Sequence, residues 1–174
     1  VLRIDDELDP LRRERVHDAL DLRREILGDD HPSTLWSVNK LANLYRSQGR
    51  YELAEPLFVE ALETRKKVLG PDHPRTRWSS NDYGLLMTHM GRFYEAEAVH
   101  LATLAARRRT LGPEHTNTLG SMKSLAMVYW KSQRFDRAEP LYAEAVRIQR
   151  RVLGDAHANT LRGINSLAAV YTAS

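Results

Sequence analysis

Apolar residues recur along this chain at the spacing of an amphipathic helix. One such stretch places four mostly apolar side chains three or four residues apart: Val38, Leu41, Ala42 and Tyr45. At about 100° per residue these positions fall on one side of a helix, so that side is predicted to be core. A second helix is predicted to begin around Tyr51, with small residues at Ala54 and Ala61 that let two helix backbones approach closely. The pattern therefore predicts pairs of helices.

The helix pairs recur at a fixed interval. Leu-Gly occurs four times, 42 residues apart, at Leu27-Gly28, Leu69-Gly70, Leu111-Gly112 and Leu153-Gly154. Periodicity of this size indicates a solenoid built from one repeated supersecondary unit. The expected organisation is a single array over residues 1–174, with complete units at 27–68, 69–110 and 111–152, a partial unit at 1–26 that ends in a second helix, and a half unit at 153–174. We expect the chain to be a piece of a longer protein.

Glycine and proline mark the predicted helix boundaries. Each Leu-Gly is expected to end a second helix in the left-handed conformation, and Pro32 or Pro74 then opens a first helix at a position whose N–H needs no partner. First helices should end near Gln48-Gly49 and Met90-Gly91, and second helices should begin near Tyr51, Phe93 and Phe135. One unit departs most from the pattern, so a local irregularity is expected there; its substituted positions are Arg77, Tyr83, Ala98 and His100.

The ordering of these motifs resembles the tetratricopeptide repeat (TPR), in the 42-residue form of kinesin light chains and of many bacterial and fungal regulatory proteins. The resemblance rests on LGxDHPxT, on first-helix cores such as LANLY and on GRYxxAEPL in the second helix, and it spans residues 11–174. It implies an all-α, right-handed α-α superhelix of about eight antiparallel helices. It also implies a scaffold that binds proteins or peptides.

Composition narrows the function further. Hydrophobic residues make up 42% of the chain, cysteine is absent and the formal net charge is only +3. No apolar run approaches the roughly 18 residues of a membrane span, and no disulfide framework or thiolate metal site is available. We expect a cytoplasmic protein without membrane attachment, and the low net charge makes nucleic acid an unlikely partner despite the arginine clusters.

A second stripe on the first helices is rotated about a third of a turn from the core side. By resemblance to the family it lines the concave groove, and none of its residues is acidic. Related repeats clamp a peptide main chain with asparagines at this register, which carries that role to Asn39, Asn81 and Asn165. The predicted peptide-binding groove comprises Asn39, Asn43, Arg46, Asn81, His89, Lys123, Trp130, Lys131 and Asn165. The implied ligand is an extended acidic peptide with an apolar or aromatic anchor.

Structural interpretations compete with this groove. The asparagines could hydrogen-bond a neighbouring helix, and tryptophans such as Trp36 could pack between units instead of facing solvent. The basic clusters that close the second helices could simply offset the negative end of the helix dipole.

Four histidines recur in register at His31, His73, His115 and His157. Equivalent residues of packed helices lie at least about 8–10 Å apart, which is too far for a shared zinc ion, so a structural role in the turn before each first helix is preferred. No nucleotide, hydrolase or metalloprotease motif occurs. Acids on the second helix, Glu55, Glu60 and Glu63, are interpreted as a solvated outer face. We expect no enzyme activity, no cofactor and no metal.

Two other functions remain open. A self-assembling array is suggested by the final half unit, whose apolar face has no second helix to cover it: Leu161, Ile164, Leu167 and Val170. The chain could also be a sensor or regulatory segment of a larger signalling protein.

Overall fold

The computed structural model describes the backbone of residues 4–173 and the side chains of residues 14–173. Within that range the chain forms eight α-helices and no strand. The helices are α1 (Ile4–Leu27), α2 (Pro32–Ser47), α3 (Tyr51–Leu69), α4 (Pro74–His89), α5 (Phe93–Leu111), α6 (Thr116–Lys131), α7 (Phe135–Leu153) and α8 (Ala158–Ala173). The predicted all-α class of about eight helices is confirmed, as are the predicted starts of the second helices at Tyr51, Phe93 and Phe135.

Histidine caps the first helix of every unit. His31 Nδ1 accepts a hydrogen bond from the Ser33 N–H at 3.2 Å, and His115 Nδ1 accepts one from the Asn117 N–H at 3.1 Å. His73 Nδ1 and His157 Nδ1 each accept the same hydrogen bond, from the backbone N–H two residues later in the chain, at 3.1 Å. The bond satisfies one of the backbone donors that a helix start leaves without an intrahelical partner. The preferred structural role of these histidines is confirmed.

The glycines that end the second helices adopt a more restrictive conformation than predicted. Gly70 has φ 85° and ψ 161°, and Gly112 has φ 85° and ψ 166°. The expected left-handed helical conformation would need ψ near 47°. Positive φ combined with nearly extended ψ is a region that essentially only glycine occupies, so this turn needs glycine where a left-handed cap would also accept asparagine.

Small residues allow the second helices to pack tightly. Ala54, Ala96 and Ala138 have no exposed surface, and Phe58 is fully buried one turn after the first of them. In the most divergent unit His100 takes the place of Phe58 and is equally buried. The helices of that unit keep the 16- and 19-residue lengths of their counterparts, so its substitutions leave no irregularity in helix length.

The chain divides into two compact units, Val1–Leu86 and Met87–Ser174. In the first, α1 packs on α2 and α2 on α3, and Leu41 and Phe58 are among its most deeply buried side chains. In the second, α5, α6, α7 and α8 pack in sequence around a cluster that includes Leu125 and Tyr142. A single continuous array stays a prediction. Among the described residues, no helix is both long and apolar enough to cross a membrane.

Candidate functional site

Buried arginines near the ends of the second helices reach the first helix that follows. Arg65 Nη1 donates to Ser79 Oγ, and Arg107 Nη1 donates to Ser121 Oγ at 2.6 Å. Arg23, which is half-buried, makes the equivalent bond to Ser37. Arg65 and Arg107 belong to the basic clusters that close the second helices, and here they act as hydrogen-bond donors between helices. An arginine followed by serine 14 residues later, repeated at 42 residues, was the sequence signal for them.

The last unit breaks this pairing at both positions. Gln149 stands where arginine is expected and Gly163 stands where serine is expected. A Cβ on Gly163 would lie 2.7 Å from Gln149 Oε1, so the glycine leaves room for the shorter amide side chain.

Asn39 is held inside this arginine network. Its side chain has no exposed surface, and its Oδ1 accepts from Arg65 Nη1 at 3.0 Å. The structure therefore places this predicted clamp residue against a neighbouring helix, as the competing structural interpretation describes. Its Nδ2 has no hydrogen-bond partner among the described residues.

The other predicted residues of the first compact unit gather around Asp82, a residue that was not predicted to belong to the groove. Asn43 Nδ2 donates to the Asn39 carbonyl at 2.9 Å and contacts Asp82 Oδ2 at 3.4 Å, while Arg46 donates to Asn43 Oδ1 at 2.8 Å. Burial raises the pKa of Asp82, and the hydrogen bonds from Asn43 and Asn81 together with the charge of Arg46 oppose that rise. An internal carboxylate thus already occupies the amide and cation cluster of α2 and α4.

The predicted residues of the second compact unit are more accessible. Lys131 and Asn165 are exposed, and Lys123 is half-buried on α6. Burial lowers the pKa of Lys123, and the nearby charge of Arg162 lowers it further. Trp130 is half-buried against the core cluster, so it serves partly as a packing residue. His89, at the end of α4, is exposed.

Acids of the second helices bind neighbouring helices, contrary to the expectation of a solvated outer face. Glu55 accepts from Tyr83 at 3.0 Å, and Glu60 forms an ion pair with Arg24 at 2.6 Å. Glu97 repeats the tyrosine contact in the second unit, accepting from Tyr129 at 2.9 Å. Burial would raise the pKa of Glu97, but its hydrogen bonds from Arg134 and Tyr129 bring that pKa below the usual value. Glu63 pairs with Lys66 on its own helix at 2.8 Å and matches the expectation.

A separate pocket opens among the helices of the first unit. It is lined by Arg23, Pro32, Ser33, Trp36, Arg65, Arg75 and Trp78. Trp36 and Trp78, which occupy equivalent positions of adjacent repeats, are 49% and 40% exposed. Trp36 therefore faces solvent with about half of its surface and does not pack fully between repeats.

The half unit at the C-terminal end exposes less of its apolar face than its sequence suggested. Val170 is buried, Leu167 packs against the core cluster and Ile164 is half-buried. Only Leu161 of the four apolar residues is largely exposed. Self-association through this face stays an untested prediction.

Comparison with known proteins identifies the repeat. A family model described as tetratricopeptide repeat matches residues 80–139 and 119–174, and a second with the same description matches 13–33 and 34–75. The chain belongs to the tetratricopeptide repeat family. No curated protein sequence matched it.

Solved structures place these TPR units with the kinesin light chain-like type. A Podosopora anserina kinesin light chain protein with nearly identical TPR-like repeats matches at 25% identity and a TM-score of 0.78, over 97% of this chain and 80% of that one. A substituted form of the same fungal protein matches at 25% identity and a TM-score of 0.80, over 97% of this chain and 80% of that one. BtubC (BKLC) from P. vanneervenii is similar in fold, at 23% identity and a TM-score of 0.71 over 95% of this chain and 65% of that one. TPR proteins of this type are protein-interaction scaffolds.

Proposed function

We propose that this TPR chain binds acidic peptide segments of a partner protein along its first helices. The observation that carries the proposal is a segregation of charge between the two helices of each repeat. Helices α2, α6 and α8 contain lysine or arginine and no acid, and the sole acid of α4 is Asp82. The second helices carry the glutamates, and several of these already have partners. An acidic segment therefore meets uncompensated cations on α6 and α8.

The second compact unit offers the more accessible part of this surface. Lys123 and Lys131 have no carboxylate partner among the described residues, and within the same part of the chain Arg162 donates hydrogen bonds only to oxygens of α8. A half-buried lysine next to another cation is electrostatically disfavoured, and a ligand carboxylate beside Lys123 would offset both effects. Asn165, exposed on α8, can donate to and accept from a peptide main chain.

In the first compact unit the role of each predicted residue differs. Asn39 supports Arg65 from inside, whereas Asn43, Arg46 and Asn81 surround the carboxylate of Asp82. We assign this cluster a weaker part in binding, because a ligand carboxylate has to compete there with one supplied by the chain itself.

The test compares acidic, neutral and basic peptides of equal length in fluorescence anisotropy titrations with the whole chain. Lys123→Ala combined with Lys131→Ala should weaken the acidic peptide by about 5- to 30-fold, since two charge pairs of about 0.5–1 kcal/mol each are lost. Arg147→Ala removes an exposed cation of α7 and should change affinity less than about twofold. Equal affinity for the acidic and neutral peptides would refute the proposal, as would an unchanged affinity in the double variant.

A further inference from the structure

The pocket between Trp36 and Trp78 has the size of a ligand site. Its volume is about 520 Å³, within the range of about 300–1,000 Å³ that is typical of small-ligand pockets. Its walls come from α1, α2, α3 and α4, and every lining residue lies in the first compact unit. None of the nine residues named for the peptide-binding groove lines it, although Trp36 and Trp78 belong to the same stripe of the first helices.

Three arginines line this pocket without any acid. Arg23 donates to Ser37, Arg65 donates to Asn39 and Ser79, and the side chain of Arg75 is exposed. None of the three forms an ion pair within the part of the chain that the structure describes. Neighbouring arginines do: Arg24 pairs with Glu60 at 2.6 Å, and Arg77 pairs with Asp72 at 2.7 Å. The lining of the pocket is therefore positively charged, and it is offset in part by Asp82, which lies outside the lining and whose charge acts on Arg65.

Local backbone adds to this positive charge. Pro32 and Ser33 belong to the first turn of α2, and Arg75 belongs to the first turn of α4. Neither first turn contains an acid, so the positive ends of two helix dipoles lie at the pocket without a negative side chain in their own first turns.

Arg65 is also held in position before any ligand arrives. Arg65 is only 3% exposed, and its bonds to Asn39 and Ser79 fix the orientation of its guanidinium group. Burial lowers the pKa of Arg65 and the charge of Arg75 lowers it further, while the charge of Asp82 opposes this lowering only in part. A bound anion would offset both effects, whereas an apolar ligand would offset neither.

The two tryptophans supply flat apolar surface beside these charges. The guanidinium carbon of Arg23 lies 5.8 Å from the centre of the Trp36 ring, and that of Arg65 lies 5.9 Å from the centre of the Trp78 ring. Each pair thus presents a cation next to an exposed indole. A ligand that combines an anion with an aromatic ring meets both kinds of surface at once.

We propose that this pocket binds a phosphorylated tyrosine side chain of a partner segment. Phosphate carries about −1.5 to −2 charges at pH 7 and three acceptor oxygens, which matches several guanidinium groups better than the single charge of a carboxylate. The tyrosine ring lies against an indole while the phosphate reaches the arginines. The proposal rests on the proposed binding of a protein partner, and it adds a site distinct from Lys123 and Lys131.

Indole N–H signals provide a direct readout, because the chain has three tryptophans and only two of them line the pocket. In NMR titrations of the whole chain with N-acetyl-phosphotyrosine amide, the signals of Trp36 and Trp78 should shift and that of Trp130 should not. N-acetyl-tyrosine amide should bind at least about tenfold more weakly, since it lacks the charge-assisted hydrogen bonds. Phosphoserine amide should also be weaker because it has no ring to stack.

Arg75→Ala is the informative variant, since Arg75 is exposed and its substitution leaves the buried network intact. It should weaken the phosphotyrosine probe by about tenfold, with Arg75→Lys intermediate because lysine keeps the charge and loses the bidentate geometry. Lys67→Ala removes an exposed cation of α3 outside the pocket and should have no effect.

Several results would overturn this assignment. They are equal affinity for the phosphorylated and unphosphorylated amides, equal affinity for phosphoserine amide, absence of a saturable shift at Trp36 and Trp78, or an affinity that Arg75→Ala leaves unchanged. Acidic peptide binding that depends on Lys123 and Lys131 is measured independently. If it persists while the phosphotyrosine probe fails, the pocket assignment alone is wrong.

Discussion

A matched pair of glycine substitutions tests the account of the repeat boundary. Gly112 has φ 85° and ψ 166°, whereas Gly120 lies inside α6 without positive φ. At both positions an added Cβ meets no atom within 4 Å, so alanine introduces no steric overlap with the rest of the molecule. The two substitutions therefore differ only in the backbone conformation that the new side chain must adopt.

The magnitudes follow from that difference. Alanine at residue 112 is held in a region that L-residues avoid, at a cost of about 1–3 kcal/mol. Alanine at residue 120 replaces the poor helix former glycine and should stabilise by about 0.5–1 kcal/mol. Relative to wild type, we expect the midpoint of thermal unfolding to fall by about 2–10 °C for Gly112→Ala and to rise by about 1–4 °C for Gly120→Ala.

The assay is urea and thermal unfolding of both variants, followed by circular dichroism in the far ultraviolet and by tryptophan fluorescence. The unfolding free energies should lie on opposite sides of the wild-type value. If Gly112→Ala were as stable as wild type, the positive-φ turn would not be a requirement of the repeat, and the interpretation of the Leu-Gly motif would be refuted.

Three further predictions concern hydrogen bonds and charge. His115→Ala removes the acceptor for the Asn117 N–H and should reduce the unfolding free energy by about 1 kcal/mol in urea titrations, whereas His115→Asn should restore most of it. The pKa of Asp82 is raised in the folded state, so its contribution to stability is full below about pH 3.9 and is lost as the pH rises through the folded pKa. Over that interval the unfolding free energy of wild type should therefore decline relative to that of Asp82→Asn. Urea unfolding at successive pH values measures this difference. Tyr129→Phe removes a hydrogen bond to Glu97, so the pKa of Glu97 in an NMR titration should rise, and an unchanged value would contradict the contact at 2.9 Å.

Sequence predicted the helix boundaries well because local chemistry sets them. Glycine before the first helix and proline at its first residue act within a few positions of themselves, and the described starts of the second helices repeat at 42 residues. The predicted left-handed helical conformation of Gly112 was wrong in ψ, because a Leu-Gly motif indicates positive φ but leaves ψ undetermined.

The interior of the candidate surface was harder to predict. Helical periodicity assigns Asn39 to a face of α2, but its burial depends on Arg65, a long side chain from another helix. Asp82 lies one position off the predicted stripe, and its importance follows from contacts with Asn43 and Asn81. Such contacts depend on the packing of several helices, which no single-helix pattern contains.

The same reasoning applies to the pocket of the first unit. Trp36 and Trp78 were recognisable as aromatic residues of the stripe, yet nothing in the sequence joined them to Arg23 and Arg75. The lining residues come from four different helices, and only tertiary packing brings the tryptophans and arginines to one pocket.

Reversal of charge on α6 shows whether the first helices recognise a ligand by its charge. Lys123→Glu with Lys131→Glu replaces two cations on a helix that contains no acid. In anisotropy titrations with matched acidic and basic peptides, wild type should prefer the acidic peptide and the variant should prefer the basic one. The circular dichroism spectra of wild type and variant should be the same, which shows that the fold is kept. A variant that keeps the acidic preference of wild type would contradict the claim that the first helices recognise acidic segments through their uncompensated cations.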